Sequence, residues 1–397
     1  MSLEDASVSS LLLTGGRIVL QDRVAHADLF VANGLVVKVV EDEEKYSADA
    51  ILDLTDTTIF PGFIDVHIHG AAGIDTMDAS PGQLSQVAQF LATQGVTGWL
   101  PTLVPASREN YLRAISAIQQ LHAEQRKPSP QIGARVLGAH YEGPFVNNAQ
   151  CGALHTEHFQ SYSDESQVDN LPILTTDGAR MMMTLAPEIE GGLDLVRHLS
   201  SRGWIVSLGH TRASSEVLDR AHREGAHHMT HFMNAMAPLH HRSPGPIAWG
   251  LMRDDVSCDV IADGIHLDPF MLQLLLKVKG PDSLTLISDA IAAAGMGDGE
   301  YQIWNETIAV NNGRTSNAAG TIAGSVITML DAARMMLSLG CSEVDVARMA
   351  ARNPARLLRL DDEFGSIEEG KRADLVALDE QGHARLTIVG GSVAFRG

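Results

Sequence analysis

An apolar run turns into an alternation of apolar and polar residues along residues 58–70, whose sequence is T-I-F-P-G-F-I-D-V-H-I-H-G. The second half of this stretch pairs three branched apolar residues with an aspartate and two histidines: Ile64, Val66 and Ile68 with Asp65, His67 and His69. A period of two predicts a β-strand with one apolar and one polar face. The two histidines then point the same way and can bind one divalent metal. A polar, solvated strand end is the alternative explanation, and a lone H-x-H pattern does not decide between the two.

Short alternating runs broken by turns fill both ends of the chain. Near the N-terminus, candidate strands cover 11–14, 16–20, 27–32, 35–39 and 50–54. Asn33-Gly34 between two of these strands is a strong hairpin signal. Near the C-terminus, candidate strands cover 373–378 and 386–389. Neither end alone can bury a sheet face, so we predict that the two ends pack together as one small β-sandwich.

From residue 59 onward the pattern changes to strand, loop and helix, repeated. Eight strands are predicted, over 59–69, 98–103, 135–141, 181–186, 204–208, 227–232, 258–262 and 284–288. Helical patterns cover 81–94, 108–125, 193–201, 214–223, 268–278, 325–339 and 344–358. Eight strands in βα alternation are typical of a TIM barrel, and no glycine-rich nucleotide-binding motif lies between a strand and a helix. We therefore predict an α/β fold, with a (β/α)8 barrel over 59–360 and a β-sandwich made of 1–58 and 361–397.

Composition and charge narrow the range of partners. The 397 residues carry a formal net charge of −20, which argues against nucleic acid or an anionic membrane as a partner. No apolar run approaches the roughly 20 residues of a membrane-spanning helix, and the acidic first ten residues lack the basic segment of a secretory signal. Three cysteines without a pairing pattern suit a reducing compartment, so we expect a cytoplasmic protein.

Side chains with metal-binding or acid–base chemistry recur where the predicted strands end. They are His67 and His69 after strand one, Glu142 after strand three, His210 after strand five, His231 after strand six and Asp289 after strand eight. In such barrels, catalysis belongs to the C-terminal ends of the strands. Each residue alone has an ordinary structural explanation, such as a core histidine or a helix cap. Taken together, these groups favour a metal site.

These motifs also give the chain a family resemblance. It resembles the amidohydrolase superfamily, and within it the N-acetylglucosamine-6-phosphate deacetylases, through P-G-F-I-D-V-H-I-H-G, H-Y-E-G-P-F, S-L-G-H-T, T-H-F-M-N-A-M, I-A-D-G-I-H, I-S-D-A and G-T-I-A-G-S. Strand four, M-M-M-T-L-A-P, lacks the lysine with which hydantoinase-like members bridge two metals. The resemblance implies a primary metal ion, zinc, on Glu142, His210 and His231. It also implies that a second ion can bind to His67, His69 and Glu142, giving one or two ions per subunit.

The resemblance further implies the catalytic groups. Asp289 is implied as the general base that takes a proton from the attacking water, and then as the acid that protonates the departing amine. His155, with His158 as the alternative, is implied to polarise the acetamido carbonyl. The stretch C-G-A-L-H has one residue more than the G-A-H pattern of the family. A histidine on a helix face is the alternative explanation for both residues.

Recognition of a phosphorylated sugar is implied by a further set of residues: Leu154, His155, Asn234, Ala235, Arg242, Asp263, His266, Ile322, Ala323 and Gly324. Arg242 in H-R-S-P-G matches an arginine that, in dimers of this family, works with the histidine at position 266 across the subunit interface. A guanidinium fork suits a phosphate dianion. The alternative explanation for Arg242 is a surface ion pair.

The resemblance therefore implies a zinc-dependent, cytoplasmic, homodimeric enzyme that hydrolyses N-acetylglucosamine 6-phosphate to glucosamine 6-phosphate and acetate. Three alternatives remain open. The substrate could be the galactosamine epimer, which differs in the configuration of one hydroxyl. It could be another amide or a deaminase substrate, but Asn234, Arg242 and His266 would then have no phosphate to bind. The protein could also be a non-catalytic scaffold, although such relatives usually lose metal ligands and none is missing here.

Overall fold

The computed structural model describes residues 9–41, 46–127 and 129–397. The expectation that the chain has no secretory signal depends mainly on residues 1–8, which lie outside the described residues. Among the helices within these ranges, none is both long and apolar enough to cross a membrane.

Strands from both ends of the chain form two facing sheets. The N-terminal strands are β1 (Ser10–Thr14), β2 (Arg17–Val19), β3 (Val24–His26), β4 (Asp28–Ala32), β5 (Leu35–Val40), β6 (Ala50–Asp53) and β7 (Thr57–Pro61). Near the C-terminus follow β22 (Leu375–Asp379), β23 (Ala384–Val389) and β24 (Ser392–Arg396). One sheet has the order β5-β4-β1-β6, and the other β24-β23-β22-β7-β2-β3. Their shared core joins residues from both ends, among them Leu11, Val31, Ile59, Leu375 and Ile388, which confirms the predicted sandwich.

The sandwich passes directly into the barrel at Gly62. The single strand predicted over 59–69 is in fact two strands, β7 and β8 (Phe63–Ile68). β7 pairs with β22 in the sandwich, whereas β8 pairs with a barrel strand. A Cβ atom at Gly62 would collide with the side chain of Thr97, so only glycine permits this crossing. We propose Gly62 as the boundary between the two units, in place of the predicted boundary at residue 58.

Eight parallel strands form a nearly closed barrel, as predicted. After β8 come a short hairpin of β9 (Gly70–Ala71) and β10 (Ile74–Asp75), then β11 (Val96–Leu103), β12 (Arg135–Val136), β13 (Gly138–Glu142), β14 (Arg180–Leu185), β15 (Ile205–Leu208), β16 (His228–Met229), β17 (Ser257–Ile261) and β18 (Leu284–Ile287). The barrel order is β8-β11-β13-β14-β15-β16-β17-β18, with β12 beside β11. Every residue of β8 is buried, so its predicted polar face is not solvated.

Hydrogen bonds between β8 and the end of β18 bring the first and last barrel strands together. The amide of Asp289 donates to the carbonyl oxygen of His67 at 2.9 Å. The hydroxyl of Ser288 donates to Oδ2 of Asp65 at 2.5 Å. Burial raises the pKa of Asp65 to about 6, although the bond from Ser288 opposes this shift. These contacts place His67 and Asp289 side by side.

Ten α-helices lie within the described residues. They are α1 (Pro81–Thr93), α2 (Arg108–Gln125), α3 (Ser166–Asp169), α4 (Gly192–Ser201), α5 (Ser215–Arg223), α6 (Gly245–Met252), α7 (Pro269–Lys279), α8 (Met329–Ser338), α9 (Glu343–Ala347) and α10 (Asn353–Leu357), with a π-helical turn between the last two. The helix predicted over 325–339 begins only at Met329. Ser325 instead continues the preceding loop, where its amide donates to the carbonyl oxygen of Asp289 at 2.7 Å.

A three-stranded sheet that follows the barrel strands was not predicted. It consists of β19 (Gly299–Ile303), β20 (Glu306–Asn311) and β21 (Arg314–Ser316). Trp304 and Asn305 connect β19 and β20 with φ angles of 53° and 61°. Two successive positive φ angles are those of a type I′ hairpin turn. Through Trp304, this hairpin reaches a cavity that His69, Glu142 and Asp289 also line.

Candidate metal centre and active site

The ends of five barrel strands bring six metal-competent side chains to one place. They are His67 near the end of β8, His69 just after it, Glu142 at the end of β13, His210 after β15, His231 after β16 and Asp289 after β18. All six are buried, and the most exposed, Asp289, is 7% exposed. The structure therefore assembles the full set that the strand ends predict.

Glu142 lies at the centre of this cluster. Its Oε1 is 3.0 Å from Nε2 of His210 and 3.0 Å from Nε2 of His231. Oε1 also lies 3.5 Å from Nε2 of His67, and Oε2 lies 3.4 Å from Nε2 of His69. Burial alone would raise the pKa of Glu142, but the imidazoles around it hold that pKa well below its ordinary value. One ionised carboxylate is thus shared by four histidines.

The donor atoms of this cluster fit divalent metal ions. Nε2 of His210 and Nε2 of His231 lie 3.1 Å apart, and those of His67 and His69 lie 3.2 Å apart. Neutral imidazoles in the Nδ1–H tautomer would each direct an Nε2 lone pair into the gap, where a cation would accept both. Two groups have all their donor atoms within 4.8 Å of one another: His67, His69 and Glu142, and Glu142, His210 and His231. Imidazole nitrogen and carboxylate oxygen suit zinc, and Glu142 is common to both groups.

Asp289 adds a second carboxylate on one side of the cluster. Its Oδ1 lies 3.2 Å from Nε2 of His69 and 3.4 Å from Nε2 of His67. Burial alone would raise the pKa of Asp289, but the two imidazoles hold it below its ordinary value. Burial would also lower the pKa of His69, yet Asp289 and Glu142 raise it to about 9. The negative field that favours a proton on His69 equally favours a metal cation.

The backbone is strained where three of these side chains enter the cluster. The φ angles of His210, His231 and Asp289 are 48°, 31° and 50°. Residues other than glycine rarely adopt this left-handed region, at a cost on the order of 1–3 kcal/mol each. Such conformations concentrate at functional sites, where surrounding structure holds them. Here the strain turns the side chains that follow three strands toward one point.

A cavity of about 260 Å³ opens beside the cluster. Six of the predicted substrate-binding residues line it: Leu154, Asn234, Ala235, His266, Ile322 and Gly324. A side chain at position 324 would meet Cγ2 of Ile291 at 2.7 Å, so glycine lets this loop approach the site. A larger cavity, of about 700 Å³, lies between the sandwich and helices α8 and α9, and none of the predicted site residues lines it.

The remaining predicted residues lie outside the cavity wall. His155 begins a short 3₁₀ turn, with Nε2 3.8 Å from Oε1 of Glu306, and His158 ends the same turn. Arg242 is exposed, with Nη1 2.9 Å from Nε2 of His241. Neither His155 nor Arg242 lines the cavity of its own chain.

Asp263 and Ala323 support the cavity from behind. Oδ2 of Asp263 lies 2.7 Å from Nδ1 of His266, and Oδ1 accepts the amide of His266 at 2.7 Å. Asp263 thus orients the ring that lines the cavity. Ala323 is fully buried beside Gly324.

Sequence reasoning missed Trp304, which lines the cavity from the β19–β20 turn. Its ring meets that of His69 edge to face, with centroids 5.3 Å apart and planes at 87°. The alternation in E-T-I-A-V and the Asn312-Gly313 pair that follows it signal the turn between β20 and β21, whereas the Trp304-Asn305 turn between β19 and β20 carries no such signal. No local pattern indicates that the hairpin folds over a site formed by distant strands. Gly152, Ala153 and Thr321 were missed as cavity residues for the same reason.

Comparison with known proteins agrees with this geometry. The model of the amidohydrolase family matches residues 58–394. The chain is 36% identical to the N-acetylglucosamine-6-phosphate deacetylase of Bacillus subtilis (strain 168) over 398 residues, covering 97% of each chain. It is also 36% identical to the N-acetylgalactosamine-6-phosphate deacetylase of Escherichia coli O157:H7 over 335 residues, covering 84% of this chain and 87% of that one.

A solved structure is similar across the whole chain. It is a mutant N-acetyl-D-glucosamine-6-phosphate deacetylase from Mycobacterium smegmatis in complex with N-acetyl-D-glucosamine-6-phosphate. The two chains superpose with a TM-score of 0.87 and 29% identity, covering 97% of this chain and 99% of that one. The similarity thus spans both the sandwich and the barrel.

The shared position of Glu142 predicts a graded loss of metal. Glu142→Ala is expected to abolish binding of both ions, because both ligand groups use this carboxylate. His69→Ala is expected to remove one ion at most. Zinc per chain is measured by mass spectrometry after chelation and reloading, with circular dichroism to check folding. His241→Ala, at an exposed histidine, is the control and should match the wild type; wild-type zinc in Glu142→Ala would contradict the shared site.

Proposed function

The chain belongs to the amidohydrolase family, and from that premise we propose that it hydrolyses N-acetyl-D-glucosamine 6-phosphate to D-glucosamine 6-phosphate and acetate. The observation that carries the proposal is the buried cluster around Glu142, with Asp289 beside it at the wall of a small cavity. Full-length similarity to deacetylases of this substrate supports the choice of amide. The protein is thus a hydrolase acting on a linear amide bond.

We propose that the metal ligands form two sites that share Glu142. Glu142, His210 and His231 would hold the primary ion, and His67 and His69 would hold a second ion together with Glu142. We propose zinc for both places. When bound, zinc polarises a carbonyl group and lowers the pKa of a water molecule toward about 7.

Asp289 moves the proton in the reaction. It accepts a proton from the attacking water as the new C–O bond forms at the acetamido carbonyl. It then gives that proton to the amine nitrogen as the C–N bond breaks, so that acetate and the free amino sugar leave. Its Oδ1 is suited to this task because it lies within 3.4 Å of Nε2 of both His67 and His69, at the wall of the cavity.

The sugar phosphate is proposed to extend away from the cluster, toward Asn234, Ala235 and His266. Asp263 orients the His266 ring from behind. The backbone amide of Asn234 already donates to the carbonyl oxygen of His231 at 2.9 Å. Asn234 would therefore meet the substrate with its side-chain amide.

Arg242 is proposed to complete the phosphate site of a second copy of the chain. The side chain is exposed and does not line the cavity of its own chain, while His240 and His241 beside it add to the local positive potential when protonated. The formal net charge of −20 makes such a local group necessary for an anionic substrate. We accordingly propose a homodimer, and the cytoplasm as its compartment.

The galactosamine epimer is a second candidate substrate. The relative from Escherichia coli O157:H7 with that printed activity has the same identity to this chain, 36%, as the relative from Bacillus subtilis. Other amides are disfavoured because the polar end of the cavity would lack its phosphate. A non-catalytic scaffold is disfavoured because the whole ligand set is present and buried.

Acetate release tests the proposal directly. The zinc-loaded protein is incubated with N-acetylglucosamine 6-phosphate, its galactosamine epimer and unphosphorylated N-acetylglucosamine at equal concentrations. We expect turnover of the first sugar, and little or none of the unphosphorylated one. Faster turnover of the epimer would favour the second candidate, and no reaction with either phosphate would contradict a sugar-phosphate deacetylase.

Asp289→Asn separates catalysis from metal binding. The amide cannot accept the proton, so kcat is expected to fall by about 10²–10⁴-fold, the usual contribution of a general base. Zinc content should stay at the wild-type level, because Asp289 belongs to neither ligand group. Steady-state kinetics and metal analysis on the same preparation check both expectations; loss of zinc together with activity would contradict the assignment as a general base.

Arg242→Ala tests both the phosphate role and the dimer. Loss of charge-assisted hydrogen bonds of about 1.5–3 kcal/mol should raise KM by roughly 10–100-fold and change kcat far less. Arg113→Ala, at an exposed arginine on α2, is the matched control and should leave KM unchanged.

Mixing the two catalytically impaired chains tests whether Arg242 acts across the interface. Co-expression of Asp289→Asn with Arg242→Ala should restore activity, because one site of the mixed dimer then combines an intact Asp289 with an intact Arg242 from the other copy. Activity that merely averages the two parents would show that Arg242 acts within its own chain.

A further inference from the structure

Trp304 occupies an unusual position in the hairpin between β19 and β20. Ile303 and Glu306 are paired, so Trp304 and Asn305 alone form the turn. Both have positive φ, and type I′ turns favour Asn-Gly in these two places. A left-handed conformation is unfavourable for any residue with a Cβ atom, and a bulky residue is rare there. The turn itself therefore gains nothing from tryptophan. The contacts of the indole must explain why tryptophan stands at this position.

The indole forms part of the cavity wall beside the metal ligands. It stands edge to face against His69 and packs on the buried cluster that contains Ile291 and Ala323. Ala153, another cavity residue, packs on the same cluster. Leu154 and Ile322 also line the cavity, so part of its wall is apolar.

The chemistry of the substrate indicates which of its groups lies against this apolar part of the wall. In the proposed reaction the carbonyl carbon must lie beside the ligand cluster and Asp289. The amine nitrogen carries the sugar toward the polar residues Asn234 and His266, so the remaining substituent of the carbonyl, the methyl group, faces the apolar side. Burial of this methyl group against apolar side chains is favourable, because it removes apolar surface from water.

We propose that Trp304 is the specificity-determining residue that limits the acyl group to acetyl. The inference rests on the proposed deacetylase function and names the side chain that bounds its acyl end. On this proposal the indole, in contact with His69 and with the buried cluster, closes the acyl end of the cavity so that one methyl group fits. A longer acyl chain would have to displace the hairpin turn.

The test compares N-acetyl-, N-propionyl- and N-butyryl-glucosamine 6-phosphate as substrates of the zinc-loaded protein. One additional methylene in such a pocket is worth roughly 10–200-fold in kcat/KM, so the wild type should strongly prefer acetyl. Trp304→Gly opens the wall and suits the left-handed turn, and should reduce the acetyl-to-butyryl ratio of kcat/KM at least tenfold. Trp304→Asn also suits the turn and serves as a second variant if the glycine variant does not fold.

Asn305→Gly is the matched control. It changes the neighbouring, exposed residue of the same turn and leaves the cavity wall intact, so the acyl preference should not change. A binding measurement complements the kinetics. In an Asp289→Asn background, equilibrium dialysis of the N-acetyl and N-butyryl sugars should show the same relaxation of preference when Trp304 is replaced.

The outcomes separate the two claims. Suppose that the wild type hydrolyses the N-acetyl sugar, but that a folded, zinc-containing Trp304 variant keeps the wild-type acetyl-to-butyryl ratio both in kcat/KM and in binding. Trp304 then does not set the acyl size. Equal loss on all three substrates would also overturn the inference, because it indicates a general structural role. If the wild type hydrolyses none of the three sugars, the proposed function fails and the inference falls with it.

Discussion

The buried carboxylate of Glu142 among four imidazoles is the interaction on which the rest of the structure depends. An ionised group removed from water is costly unless it is paired or bound to a metal. Here the pairing comes from residues that follow three different strands, each close enough to share the charge. The left-handed backbone at His210 and His231 is the conformational cost of aiming those rings inward. The barrel serves to keep these groups within a few ångströms of one another.

The sandwich contributes through its covalent link to the first ligand strand. β7 is fixed between strands from both ends of the chain, and after Gly62 the same segment becomes β8. At the other edge, the bond from Ser288 to Asp65 ties β8 to β18. The position of His67 beside Asp289 therefore depends on both units. An error in either would separate the proposed general base from the metal ligands.

Much of this arrangement follows from local sequence. The βα alternation predicts eight strands, and the rule that barrel sites lie at strand ends brings Glu142, His210 and His231 together without any knowledge of contacts. The break at Gly62 was missed because an unbroken apolar run, I-F-P-G-F-I, continues through it. Only the nearby Thr97 side chain shows why position 62 must lack a side chain. Trp304 was missed because a hairpin pattern does not reveal what the hairpin covers. Arg242 does not line the cavity of its own chain, so the role we propose for it requires a second chain, which no local pattern describes.

The central claim is that the Glu142 cluster is a metal centre, and anomalous diffraction at the zinc edge tests it most directly. Crystals of the zinc-loaded protein grown with glucosamine 6-phosphate would be measured above and below the edge. The account predicts an anomalous peak about 2.0–2.2 Å from Nε2 of His210, Nε2 of His231 and a carboxylate oxygen of Glu142. Zinc bound only elsewhere, with these three side chains hydrogen-bonded to one another, would contradict it.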